Sequence, residues 1–239
     1  MYEAVHVDPE PDEGDDDAVA RVVETAARYG YEGVVVRNHD GARVAFDVDE
    51  LVDEYGIDVV DGVEVRADDP HQASGSVGNY RRQYTILAIH GGTNAINRFA
   101  VETDKVDVLA HPMAGSGDVN HVLVKAAVEN GVRLEFSFAN VLRATGGRRV
   151  RAIQSLRKLR ELVTYYDAPY VVSADPHGPL ELRGPRELCA LGEELGFDRE
   201  WITDGLEEWG RLANRNRRIQ SDSFIEPGVE RGRYEKDRC

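Results

Sequence analysis

The sequence predicts an α/β chain folded as a (β/α) barrel of the TIM type. Three observations carry this: strand-sized apolar runs alternate with amphipathic helical stretches, seven or eight such units fit in about 215 residues, and polar residues recur where the strand candidates end. Residues 2–7 form the first strand candidate. After an acidic turn at 9–17, a helix over 18–29 gathers Val19, Val22, Val23, Ala26 and Ala27 on one face, and Gly30 stops it. Residues 33–37 make the next strand and 49–55 the next helix. Further strands are expected at 57–65, 84–90, 107–110, 132–136 and 170–173. Helices are expected at 94–102, 119–130, 152–167, 185–195 and 201–214, the last with Ile202, Leu206, Trp209 and Ala213 on one face. An open doubly wound sheet is the alternative, but neither a G-x-G-x-x-G after the first strand nor a G-x-x-x-x-G-K-[ST] supports it. The expected organisation is one barrel over residues 1–219, followed by a flexible C-terminal tail at 220–239.

Composition narrows the functional class. Of 239 residues, 41% are hydrophobic and 31% charged, which suits a globular chain with a substantial core. Apolar runs such as Val34-Val35-Val36 fall far short of the ~20 residues a membrane-spanning helix needs, so no membrane partner is expected. The opening Met1-Tyr2-Glu3-Ala4-Val5 lacks the basic head and apolar core of a signal peptide. Cys189 and Cys239 suit neither a disulfide framework nor a metal knuckle. A cytoplasmic protein is the expectation.

The net charge is −15, yet of the 29 basic residues only Lys105, Lys125, Lys158 and Lys236 are lysines. An acidic chain that keeps Arg and sheds Lys suits a salt-rich cytosol, where surface repulsion is screened within ~3 Å at 1 M. The acidity therefore does not exclude a nucleic-acid partner. It is also uneven: residues 1–69 carry 21 acids against five bases, and the remainder is nearly balanced.

Imidazoles and carboxylates recur at strand ends, the face where barrels of this kind carry their sites: His6, Glu64, His90, His111, Asp175 and His177. That donor set is the kind that holds zinc or manganese. Ala110-His111-Pro112 and Ser173-Ala174-Asp175-Pro176-His177 resemble elements of the polymerase-and-histidinol-phosphatase superfamily of metal-dependent barrels. That superfamily opens on a His-x-His pair, where this chain has Ala4-Val5-His6. The six residues are therefore expected to be the remnant of a metal site, hydrogen-bonding at strand ends, with no metal held. If instead they work, the chain is a stand-alone metal-dependent phosphoesterase, in which a metal polarises the phosphoryl oxygen and generates hydroxide.

The second constellation is basic. Arg143, Arg148, Arg149, Arg151, Arg157, Lys158 and Arg160 follow one another without an acid until Glu161, and Arg can pair bidentately with phosphate. Arg81-Arg82 and the run Arg211, Arg215, Arg217 and Arg218 form smaller patches. RNA is the expected partner of the block, with contacts at Arg148, Arg149, Arg151, Arg157, Lys158 and Arg160 and further candidates at Arg81 and Arg82. The loop Gly115-Ser116-Gly117-Asp118 is expected to be ordinary, with Asp118 capping the helix after it. Cys189 is expected in the core.

Several segments, in order, resemble one family. Tyr31-Glu32-Gly33-Val34-Val35-Val36-Arg37-Asn38, Ile89-His90-Gly91-Gly92-Thr93-Asn94, Asn97-Arg98-Phe99-Ala100-Val101-Glu102 and Val106-Asp107-Val108-Leu109-Ala110-His111-Pro112 are similar to the component 3 family of archaeal ribonuclease P, which is homologous to a eukaryotic subunit of thirty kilodaltons. Leu134-Glu135-Phe136-Ser137, the basic block and Leu182-Arg183-Gly184-Pro185-Arg186-Glu187 extend the resemblance over about residues 2–197. The resemblance implies a subunit of the ribonucleoprotein endoribonuclease that removes the 5′ leader from precursor tRNA. It implies that catalysis belongs to the RNA with its Mg2+, that no catalytic residue lies in the protein and that the protein binds no cofactor of its own. The partners it implies are the ribonuclease P RNA, the small ferredoxin-like subunit and the other proteins of the enzyme, with precursor tRNA as the holoenzyme's substrate.

Overall fold

A computed structural model of the protein describes residues 1–221, 224–226 and 229–230. Seven parallel strands run in sequence order through a nearly closed barrel: β1 (Tyr2–Val5), β2 (Gly33–Val36), β3 (Asp58–Val65), β4 (Ile86–His90), β5 (Val108–Ala110), β6 (Arg133–Ser137) and β7 (Tyr170–Ser173). The helices between them are α1 (Asp15–Tyr29), α2 (Val48–Tyr55), α3 (Pro70–Tyr80), α4 (Asn94–Val101), α5 (His121–Asn130), α6 (Ala139–Arg143) and α7 (Gly146–Tyr166). After β7 come α8 (Pro185–Leu195) and α9 (Arg199–Gln220), then a short antiparallel pair, β8 (Phe224–Glu226) and β9 (Val229–Glu230). Most of the tail expected at 220–239 lies outside the described residues.

The pleat sorts each strand into two faces. Val5, Val34, Val36 and Val59 pack outward with α1 and α2, and Val63, Leu87, Ile89, Leu109, Leu134 and Phe136 pack outward with the later helices. Ala4, Val35, Val60, Ile86, Ala88, Val108, Ala110 and Val171 point inward. These inner residues are small to medium, and the space they leave is closed by Trp209, Leu212 and Ala213 of α9.

Helix α9 also covers the seam where β7 and β1 meet without ladder hydrogen bonds. There the Trp209 indole N–H donates to the Val172 carbonyl at 2.9 Å, and the Ser173 hydroxyl donates to the Glu3 carboxylate at 2.7 Å. The approach is close enough that a Cβ on Gly205 would lie 2.5 Å from a Val172 methyl group.

The structure departs from the sequence expectation at several places: α6 was not expected, α1 starts at Asp15 within the expected acidic turn, α9 runs to Gln220 and not 214, and three further differences have clear local causes. Helix α3 was not expected, because only Ala73 and Val77 are buried and Gly75 and Gly78 dilute the periodicity. Its signal is local: Pro70 at the first turn and Asp69 accepting from the His71 and Gln72 N–H groups. Helix α7 begins at Gly146 rather than 152, since its Arg-rich first turns bury no apolar residue (Val150 is exposed) but continue the helix into solvent. The residue capping α5 is Asn120, which accepts from Val122 and Leu123; Asp118 instead pairs with Lys158 at 2.6 Å. Cys189 is buried, as expected.

Because Trp209 is fully buried in the barrel interior, Trp209→Ala should cost ~3–5 kcal/mol. A melting temperature within a degree or two of the parent's, measured at the same salt, would show that α9 is not what fills the barrel.

Candidate functional site

The inward alternation continues one step past the apolar layer at the C-terminal ends of the strands. Two residues beyond Ala4, Val35, Gly62 and Ala88 stand His6, Arg37, Glu64 and His90. Glu135 lies between the outward residues Leu134 and Phe136 of β6, and His111 and Asp175 follow β5 and β7. The pleat register supplies His6, Arg37, Glu64, His90 and Glu135, and the turns after β5 and β7 add His111 and Asp175, so that a ring of titratable side chains lines the barrel mouth. Both His111 and Asp175 have left-handed backbone, with φ of 48° and 51°, a strained conformation that recurs at functional sites.

At the centre is Arg37, fully buried. Its Nη1 donates to Glu64 Oε2, and its Nη2 donates to Glu135 Oε1 and to Asp175 Oδ1, the last at 3.2 Å. Its guanidinium carbon sits 5.5 Å from the centre of the Trp209 ring below, a cation–π contact. His6 Nε2 is 3.4 Å from both Glu64 and Asp175, His90 Nδ1 is 2.5 Å from Glu64, and His111 Nε2 is 3.5 Å from Asp175. The His111 backbone N–H donates to Glu135 at 3.1 Å.

The three carboxyl groups respond differently to one shared cation. Burial works to raise the pKa of Glu64, but Arg37 and the hydrogen bonds from His6 and His90 outweigh it and hold the group well below the usual carboxylate range. Asp175, also penalised by burial, is likewise held down by Arg37, His111 and His6. Glu135 is pushed up to about 7: burial, together with repulsion from Asp175 and Glu64, exceeds what Arg37 returns. Burial depresses His39, 3.7 Å from Glu64, to about 4.

Of the six residues expected from the sequence, the structure brings five together. His177 stands at the rim, where its ring stacks on His6 at 4.9 Å and its Nδ1 meets Asp8 at 3.1 Å. Among the described residues, ligand atoms of His6, His111 and Asp175 lie within 4.8 Å of one another, as do those of Glu64, His90 and His111, and of His6, His39 and Glu64. By type and spacing these could hold a metal. The charge does not fit, because Arg37 already engages Glu64 and Asp175, and a divalent ion would sit beside a buried guanidinium that cannot lose its proton. Arg37, Glu135 and His39 were absent from the expected site. The signal for the first two was a charged residue inside or ending an otherwise apolar strand, Val34-Val35-Val36-Arg37 and Leu134-Glu135-Phe136.

The basic block divides by partner. Arg149 donates to the carbonyls of Ala144 and Leu142 at the end of α6. Arg157 and Arg160 donate to the carbonyls of Leu195 and Gly196 at the end of α8, and Arg160 also lies over the Phe197 ring. Arg143 meets Glu181 at 3.2 Å and Lys158 meets Asp118. Arg148 and Arg151 are exposed and, among the described residues, make no hydrogen bond or ion pair. They line a cavity of about 440 Å3 with Asn140, Ser155 and, at the barrel mouth, His111 and Glu135. Arg81 is bound to Asp107 at 2.5 Å and to the Thr85 carbonyl, whereas its neighbour Arg82 lines a separate cavity with Lys105 and Arg215.

Comparison with known proteins gives consistent relatives. Residues 1–221 match the family model described as RNase P subunit p30. Ribonuclease P protein component 3 of Natronomonas pharaonis is 60% identical over 96% of this chain and 94% of its own. The component 3 protein of Halorubrum lacusprofundi is 56% identical over 99% and 100%. Among solved structures, a chain in archaeal ribonuclease P with mature tRNA superposes with a TM-score of 0.82 at 23% identity, covering 99% of this chain and 100% of that one. A putative histidinol phosphatase from Listeria monocytogenes shares the fold at a TM-score of 0.53 and 13% identity, over 79% and 100%.

The shifted Glu135 predicts a pH effect. A carboxyl whose pKa rises from 4.5 to about 7 on folding contributes stability that is complete below its unfolded pKa and lost as pH rises through 7. Glu135→Gln holds the uncharged form at every pH. Its melting temperature should therefore fall less than the parent's between about pH 5 and pH 8, while Glu3, also near 7, contributes equally to both proteins. Equal losses in the two proteins would contradict the assignment.

Proposed function

The chain belongs to the RNase P subunit p30 family and is a protein subunit of ribonuclease P, and from that premise we propose that it supports the catalytic RNA without performing chemistry itself. The observation that carries this reading is the pair Arg148 and Arg151, two exposed guanidinium groups without internal partners on the first turns of α7, facing a concave surface. Arg offers a planar fork that matches phosphate oxygens, and this geometry holds under salt that screens a bare charge. Neutralising phosphates lets a folded RNA do with less Mg2+. Arg82 on the opposite cavity is a second candidate contact. The remaining cations of the block brace α7 against its neighbours and bear on RNA indirectly. The ribonuclease P RNA, precursor tRNA and the small ferredoxin-like subunit are the partners that family membership supports, and the Mg2+ of the reaction belongs with the RNA.

A stand-alone phosphoesterase would have to use the barrel mouth. That reading fails on charge, since Arg37 engages the carboxylates a metal would need.

Reconstitution of precursor-tRNA cleavage tests the proposal. Leaving this chain out should raise the Mg2+ requirement and slow cleavage; if neither changes, the supporting role is wrong. The double variant Arg148→Gln/Arg151→Gln should assemble more weakly with an unchanged melting temperature, flattening the log–log salt dependence by ~0.7–0.9 for each lost phosphate contact. By contrast, Arg157→Gln/Arg160→Gln should lower the melting temperature, because it frees the end of α8. Wild-type assembly and salt dependence in the first variant would move the RNA contact away from α7.

A further inference from the structure

We propose that Arg37 is a resident cation standing in place of a metal ion, and that the cage behind it remains able to take a first-row divalent metal once the guanidinium is removed. The argument rests on which atoms the guanidinium uses. Two ligand groups share His111: one adds His6 and Asp175, the other adds Glu64 and His90. Arg37 bridges them, with Nη1 on Glu64 and Nη2 on Asp175, and it extends to Glu135 across the barrel. It thus consumes one carboxylate oxygen from each group.

The spacing around those oxygens still has the dimensions of a coordination shell. His6 Nε2 lies 3.4 Å from Glu64 Oε2 and 3.4 Å from Asp175 Oδ1, and these are the oxygens that Arg37 holds. Bonds of about 2.1 Å to a tetrahedral ion place neighbouring ligands about 3.4 Å apart. Imidazole with carboxylate is a donor set that suits zinc and manganese. Without the guanidinium, buried carboxylates would face one another uncompensated, which proteins resolve by binding a cation or a proton. Charge is therefore what separates this cage from a metal site, and a single residue carries it.

The test uses the full chain in high salt with Mn2+ and Zn2+ as probes, read by equilibrium dialysis with metal analysis and by the shift in melting temperature. The parent should take up neither ion and show no shift. Arg37→Gln should bind about one ion, at least roughly 100-fold more tightly than the parent, and gain thermal stability on adding it. Arg37→Lys, which keeps a charge at the centre, should resemble the parent. Stoichiometric metal on the parent overturns the proposal, as does a folded Arg37→Gln that stays metal-free at millimolar Mn2+. An Arg37→Gln chain that is unfolded with and without metal also decides against it, since the ion should restore the cage. Equal uptake by the Lys and Gln variants would show that space, and not charge, had excluded the metal.

Discussion

One buried guanidinium organises this molecule. Arg37 leaves β2 and reaches Glu64 of β3, Glu135 of β6 and Asp175 beyond β7, and it lies over Trp209 of the helix that fills the barrel. A buried charge paired with several carboxylates need not add net stability, but removing one partner from such a cluster typically costs ~3–5 kcal/mol. The mouth is therefore constrained: each member of the cluster holds the others in register across the barrel. The left-handed backbone at His111 and Asp175 persists within this frame, with His111 N–H on Glu135 and Asp175 N–H on the Ser173 hydroxyl.

Cations in this chain fall into two environments with different physics. Those inside, Arg37 above all, act in a dry interior that dissolved salt does not reach. Those on the surface of α7 act where salt screens charge within a few ångströms. Half of the α7 set, Arg149, Arg157 and Arg160, is tied to carbonyl oxygens at helix ends, and such bonds serve the fold directly. The two α7 cations with no hydrogen bond or ion pair among the described residues, Arg148 and Arg151, are both Arg, whose fork geometry supplements charge. The same economy explains how an acidic protein can serve a polyanion: the acid excess lies in the first 69 residues, while α7 carries a local cationic face.

The mouth and α7 together give a consistent account of the family. The barrel shares its fold with histidinol phosphatases, and its strand ends keep imidazoles and carboxylates in convergent positions. In this chain that convergence is neutralised from within, so it contributes to structure. Under the proposed function the chemistry stays with the RNA and the protein's part is cationic support.

Strand–helix alternation was enough to specify the barrel, because strands joined in order by helices form a parallel sheet covered by those helices. Polar residues at the ends of the apolar runs placed His6, Glu64 and His90 at one end of the barrel, and the segment order identified the family. Helix α3 was not legible, since two buried residues leave too little periodicity. The centre of the site was not legible either. A charge closing the apolar run Val34-Val35-Val36 marks Arg37 locally but does not name its partners, and nothing distinguishes Arg157 from Arg148 within a run of bases. Both points depend on partners far away in sequence: Glu135 is 98 residues from Arg37, and Leu195 is 38 from Arg157. Local pattern fixes where strands and helices fall, whereas closing the barrel decides which charges meet and which remain free for a partner.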